Sequence, residues 1–159
     1  MMNWYVINTK PKKEKQVEKL FQEGGFTVYC PKYMSENGIR AFFPGYAFLL
    51  FDFPSQYQMV KYTRGVKRIV GYKEGGPIPI PKELVLGIKA REIDGLIVLA
   101  KYGEEPGEGD EIEVVEGPLK GLRGVFKKEV GDRERVMILL NYVSYQGMLL
   151  IEKNKLKKV

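Results

Sequence analysis

The run Ala41-Phe42-Phe43-Pro44-Gly45-Tyr46-Ala47-Phe48-Leu49-Leu50-Phe51 constrains the fold more than any other stretch of this chain. Proline fixes its own φ and lacks a backbone donor, while glycine tolerates backbone conformations closed to other residues. Pro44-Gly45 therefore splits the apolar run, which can be neither one helix nor one uninterrupted core strand. Pro44 fixes where a strand begins, and Gly45 lets another chain segment come close. Within that strand Tyr46 and Phe48 share a face through the two-residue period. The aromatics Phe42 and Phe43 precede the break and need either a core or a partner.

The rest of the first hundred residues is punctuated in the same way. Asn3 to Thr9 combines aromatic and β-branched residues and predicts a first strand. Pro11 marks a helix start, and Val17, Leu20 and Phe21 recur at helical spacing before Gly24-Gly25 ends the helix. Residues 26–30 predict a second strand, Asn37-Gly38 a turn, and the 41–51 run a third strand. Ser55 is the expected N-cap of a short helix carrying Met59 and Val60 and ending near Gly65. Residues 66–72 predict a strand, 75–77 a loop, and Pro81 opens a helix whose apolar face is Leu84, Val85 and Ile88. This order predicts an α+β fold, with an N-terminal antiparallel sheet carrying packed helices.

Composition changes near Tyr102-Gly103-Glu104-Glu105-Pro106-Gly107. The expected division is a domain at 1–93, a linker at 94–106 and a second domain at 107–159, with 94–103 open to being a last strand of the first domain. Short apolar runs at 111–115, 122–130, 134–140, 145–151 and 155–159 have the spacing of a small five-stranded β-barrel. Segment 134–151 is apolar at almost every position, so periodicity does not separate strand from helix there. Gly147 and the β-branched residues favour strands, whereas Met137, Leu139, Leu140, Met148, Leu149 and Leu150 suit a helix. The barrel is the preferred reading.

The net charge of +6 is uneven: residues 1–103 hold 16 Lys/Arg against 9 Asp/Glu, and residues 104–159 hold 10 against 11. The basic surface thus belongs to the first part, and a basic excess is a common mark of a nucleic-acid partner. The single cysteine, Cys30, excludes an internal disulfide framework and fits a reducing cytoplasm as a small buried apolar residue. No secretory signal is read at the start, and no apolar run reads as a membrane span. With no histidine in the chain there is no His base and no His-containing metal site, so neither an enzyme nor a cofactor is expected. Gly75-Gly76-Pro77 and Gly121-Leu122-Arg123-Gly124 lack the lysine and helix context of a phosphate loop.

Trp4-Tyr5-Val6, Phe43-Pro44-Gly45-Tyr46 and Thr63-Arg64-Gly65-Val66 resemble, in order, the amino-terminal domain of NusG-type transcription elongation factors. Gly109-Asp110, Val114, Glu116-Gly117-Pro118-Leu119, Gly121, Gly124 and Phe126 resemble the KOW motif that follows it in that family. The short first domain and the ending Leu139-Leu140-Asn141 through Lys153-Asn154-Lys155-Leu156 resemble the specialised RfaH-like paralogs. That second resemblance implies an alternative for the C-terminal part: an α-helical hairpin docked over the polymerase-binding face of the first domain.

The resemblance implies that Phe43, Pro44, Tyr46 and Phe48, with Val6 beside them, line an apolar depression that docks on the clamp helices of RNA polymerase. A rigid aromatic groove suits an amphipathic helix pair, although the same aromatics could equally fill a core. It further implies that Arg64, Lys10, Thr63, Lys12 and Lys67 face the non-template DNA strand, a role for which basic residues beside helix starts and turns are suited. Val143, Tyr142 and Leu140 are the expected contact strand for a ribosomal small-subunit protein or termination factor Rho. The implied function is a monomeric elongation and antitermination factor that reduces pausing. The alternative is a KOW-containing RNA-binding or ribosome-associated protein.

Overall fold

The computed structural model describes residues 1–72, 75–98, 109–113, 123–125 and 131–155. Its spine is the antiparallel pair β1 (Met2–Thr9) and β5 (Tyr46–Asp52), in register from Met2 opposite Asp52 to Asn8 opposite Tyr46. β2 (Thr27–Tyr29) joins the outer edge of β5, and β6 (Val66–Ile69) joins β1, giving the order β2-β5-β1-β6 with antiparallel neighbours throughout.

Both faces of this sheet are apolar, which follows from side chains alternating along each strand. Tyr5, Ile7, Ala47, Leu49 and Phe51 point to one face and pack with Val17 and Phe21 of α1 (Glu14–Glu23) and Val60 of α2 (Tyr57–Lys61). Val6 and Phe48 point to the other. There they pack with Val70, Ile78, Ile80 and Val85, the last from α3 (Lys82–Lys89). The predicted apolar face of α3 is correct: Val85 is buried, and Leu84 and Ile88 pack against the same cluster.

A second sheet flanks the first. β3 (Lys32–Ser35) and β4 (Gly38–Ala41) form a hairpin around Asn37-Gly38, with Gly38 at φ +106°. β7 (Glu92–Ile93) and β8 (Leu96–Ile97) form another, and β8 runs parallel to β3, giving the order β4-β3-β8-β7. Residues 94–97, which the sequence leaves open between linker and last strand, are the turn and strand of that hairpin. The 41–51 run is also divided: Ala41 closes β4 in one sheet and Tyr46 opens β5 in the other. Ser55 does not cap α2; its hydroxyl donates to the Asp52 carboxylate, and Gln56 holds the N-cap position.

The largest correction lies at the C-terminus. The described parts of the first two expected barrel strands, β9 (Glu111–Glu113) and β10 (Arg123–Val125), pair antiparallel. Residues expected as two further strands, 134–140 and 145–151, instead lie within one helix, α4 (Asp132–Lys155). The fifth expected strand, at 155–159, falls almost wholly outside the described residues, as do the KOW residues Val114, Glu116 to Leu119, Gly121 and Phe126. Helix wins in α4 because one of its faces is buried on the first domain. Tertiary packing of this kind decides between local propensities that are nearly balanced.

Gly65 holds the junction between α1 and β6. Its φ is +94°, and a Cβ there would lie 2.7 Å from Cγ2 of Val17. Gly65→Ala should destabilise the fold by about 1–3 kcal/mol, the usual cost of a non-glycine residue held in left-handed backbone, measured as a lowered urea midpoint with an unchanged slope.

Candidate functional site

The face of the sheet opposite α1 carries a line of aromatic rings. Tyr33 meets Phe42, Phe42 meets Phe43 and Phe43 meets Phe48, each edge to face, with centroids 5.9, 5.0 and 5.8 Å apart. Tyr29 then stacks on Phe48 at 6.1 Å. The line is set by the turn Phe43-Pro44-Gly45-Tyr46, in which Tyr46 N–H donates to the Phe43 carbonyl at 3.0 Å and Gly45 has φ +82°. Proline second and glycine third with positive φ is the pattern of a type II turn. The chain that comes close to Gly45 is β1: the Gly45 carbonyl accepts from Thr9 N–H and Asn8 Nδ2, both at 2.8 Å. Val6 and Phe48 form the floor of this face, Phe43 a wall, Tyr46 is half-buried at the rim and Pro44 is exposed.

Helix α4 lies on this floor. Leu139 and Val143 are buried in the same cluster as Val6, Phe43 and Phe48, and Val136 and Leu140 pack beside them. At Gly147 the helix comes close, since a Cβ there would stand 2.8 Å from Cδ1 of Ile78 and 3.2 Å from Cε1 of Tyr72. The Tyr72 hydroxyl donates to the Gly147 carbonyl at 3.1 Å.

The first turn of α4 is fastened by charge. Asp132 Oδ1 accepts from the Tyr33 hydroxyl at 2.7 Å and from Nη2 of Arg135, and its Oδ2 pairs with Nη2 of Arg40 at 3.0 Å. Arg135 Nε donates to the Phe42 carbonyl at 3.0 Å, and the guanidinium sits 4.4 Å from the Phe42 ring centre and 4.9 Å from that of Tyr33. Asp132 and Arg135 are largely shielded from water, with side chains 19% and 12% exposed. In such a setting each ionic hydrogen bond outweighs its surface equivalent, and removing one partner strands the other.

The predicted DNA-facing residues gather just beyond the Thr9 end of β1, the end to which the Gly45 carbonyl is bonded. Lys10 N–H donates to the Gly65 carbonyl at 2.8 Å, which joins the turn before α1 to the turn before β6. Lys10, Lys12, Arg64 and Lys67 are all exposed there, and none takes part in the ion pairs found among the described residues. Thr63 differs: its hydroxyl donates to the Met59 carbonyl at 2.8 Å and so shapes the turn that carries Arg64.

Comparison with known proteins fits this architecture. The family described as "Transcription termination factor nusG" matches residues 2–89, more than half of the 159-residue chain. The chain belongs to the NusG family. Among solved structures it is similar to NusG of Thermotoga maritima, from work on domain interaction in that protein. The identity is 22% and the TM-score 0.52, over 84% of this chain and 83% of that one. It also matches the MjSpt4:Spt5 complex in conformation A, at 18% identity and TM-score 0.32, over 79% and 76% of the two chains. No curated protein sequence matches the chain significantly.

Within this NusG-type frame the expected KOW contact residues change role. Val143, Tyr142 and Leu140 are helical, and Val143 is fully buried against the first domain rather than presented on a strand. The fastening residues Tyr33, Arg40, Asp132 and Arg135 were not anticipated. Their one sequence signal is Gly131 followed by Asp132 and Glu134, acidic residues suited to a helix first turn. Cys30 is half-buried, and desolvation, followed by the nearby Glu18 carboxylate, pushes its thiol well above the ordinary range. Burial and then a 2.8 Å hydrogen bond to Glu92 push the Tyr29 hydroxyl upward in the same way. Among the described residues no cluster of His, Cys, Asp or Glu could hold a metal ion, and no helix is long and apolar enough to cross a membrane.

Asp132→Ala leaves Arg40 and Arg135 without their shared carboxylate. The expected result is loss of about 1–3 kcal/mol from the seating of α4, read as faster amide exchange across 132–147 with exchange in β1 and β5 unchanged.

Proposed function

We propose that this chain is a transcription elongation and antitermination factor that docks on the clamp helices of RNA polymerase through the aromatic face, and that α4 guards this face until the polymerase displaces it. The observation that carries the reading is the seat of α4. A helix of this chain already lies on Val6, Phe43 and Phe48, the residues that the family resemblance points to for docking. A floor that seats one helix by its apolar side chains has the shape and chemistry to receive another. α4 is then a resident stand-in for the polymerase helices.

The second contact is with DNA. Lys10, Lys12, Arg64 and Lys67 form an exposed basic end, suited to the phosphates of the non-template strand in the elongation complex. With the aromatic face on the clamp, this end would reach across the nucleic-acid cleft and disfavour pausing. The protein acts by binding and not by catalysis, as a monomer in the cytoplasm. Its C-terminal part, once released, would be free to recruit a ribosomal small-subunit protein or Rho.

Two measurements test this. Tyr46→Ala should weaken binding to the isolated clamp-helix segment by about 1 kcal/mol or more, as loss of an aromatic contact in an interface does. Gly147→Leu, which forces α4 off Ile78 and Tyr72, should strengthen that binding. Unchanged affinity in both folded variants rejects the docking face. Arg64→Ala should reduce the salt dependence of association with an elongation complex by the slope of about one phosphate contact; an unaltered slope assigns Arg64 to the solvated surface.

A further inference from the structure

The seam between α4 and the first domain is not fully closed. Beside Leu139 a cleft of about 320 Å³ runs between α3 and α4, with Leu84 and Ile88 on one wall and Ile138 and Tyr142 on the other. Phe42 and Phe43 close its end, meeting edge to face at 83°. Arg135 also borders it, but Nε of its guanidinium is turned to the Phe42 carbonyl and one Nη to Asp132. The exposed lining is apolar, so the cleft asks for no charge and no hydrogen bond from an occupant.

We propose that this cleft is a binding site for a small uncharged aromatic molecule of about two fused rings, which would clamp α4 in its docked position. Size and lining carry the assignment. A closed cavity of roughly 150 Å³ lined by Leu, Ile and Phe takes benzene; this cleft, open to solvent on one side, has about twice that volume with the same kinds of wall. Its volume is also within the range of small-molecule sites, which begins at about 300 Å³. The site is continuous with the α4 interface, since Phe43 and Leu139 belong both to the cleft and to the buried cluster beneath the helix.

The two walls come from different parts of the chain, so the occupant recognises the docked arrangement and not the released one. By linkage it stabilises docking in proportion to its occupancy. Its regulatory consequence, weaker capture of the polymerase, rests on the function proposed above; its binding does not.

The test is titration of the full chain with naphthalene, followed by methyl NMR. Saturable shifts are expected at the methyls of Leu84, Ile88 and Ile138, with a rise in melting temperature of a few degrees. Ile138→Gln and Leu84→Gln should each weaken binding at least tenfold with unchanged far-UV circular dichroism. Ile138 is 58% exposed, so the first of these should fold normally. Absence of saturable shifts, shifts spread over exposed methyls such as Met34 and Met59, or equal binding by both variants overturns the proposal. A nuclear Overhauser contact between Gly147 Hα and Ile78 Cδ1 reports docking separately. With that contact present and naphthalene unbound, the cleft assignment falls and the docked helix stands; with the contact absent, both fall.

Discussion

The pairing of β1 with β5 is the interaction on which everything else depends. These two central strands are apolar on both sides: Tyr5 and Ile7 alternate with Val6, and Ala47, Leu49 and Phe51 alternate with Phe48. A sheet of this kind must be covered twice, because each exposed apolar face forfeits about 25 cal/mol per Å² left in water. α1 and α2 cover one face from within the first ninety residues. On the other face α3 covers part, and the floor around Val6, Phe43 and Phe48 is completed by α4 from the far end of the chain. The second covering element of this face is thus drawn from a distant segment of the chain.

α4 itself illustrates how a nearly balanced sequence is decided from outside. From Val136 to Ile151 the chain has no charged residue, so nothing local opposes either a buried strand or a buried helix. Gly147 would cost a free helix about 1 kcal/mol relative to alanine. Here it is the residue that lets the helix come against Ile78 and Tyr72, and a side chain at that place would hold the helix off. The glycine that argued for a strand is the close-approach point of a helix. Where a helix depends on its seat in this way, loss of the seat also removes much of the reason for the helix.

What the sequence revealed follows the range of the forces involved. Short-range signals served for parts of the first domain: Pro44-Gly45 placed one turn, Asn37-Gly38 marked another, though not the separate strands β3 and β4 on either side of it, and period-two alternation put Tyr46 with Phe48. One such signal was overlooked. Asp94-Gly95, with φ of +54° and +82°, joins β7 to β8 as a two-residue hairpin turn. The split of the 41–51 run between two sheets was not legible, because it depends on which partner each half finds. Least legible was the fastening of α4, where Tyr33 and Phe42 meet Asp132 and Arg135 across 99 and 93 residues. Neither propensity nor periodicity encodes an encounter at that distance, and Arg40, Asp132 and Arg135 singly look like any solvated charge.

The distribution of these contacts sets how α4 can be displaced. Leu139 and Val143, both nearly or fully buried, contribute about 1.5–3 kcal/mol each, before the entropy of ordering the helix is subtracted. The ionic contacts lie at one end, around Asp132, and the apolar contacts run from there to Gly147. A competitor can therefore take the apolar floor from the Gly147 end while the Asp132 end remains attached, so the full set of contacts need not break at once. Reversing a population from 99:1 docked to 1:99 requires about 5.5 kcal/mol of differential binding. A pair of helices covering Val6, Phe43 and Phe48, and reaching the rim at Pro44 and Tyr46 as well, can supply this by replacing the contacts of Leu139 and Val143 and adding its own. A ligand with equal affinity for the docked and displaced arrangements, however tightly it bound, would not move the helix at all.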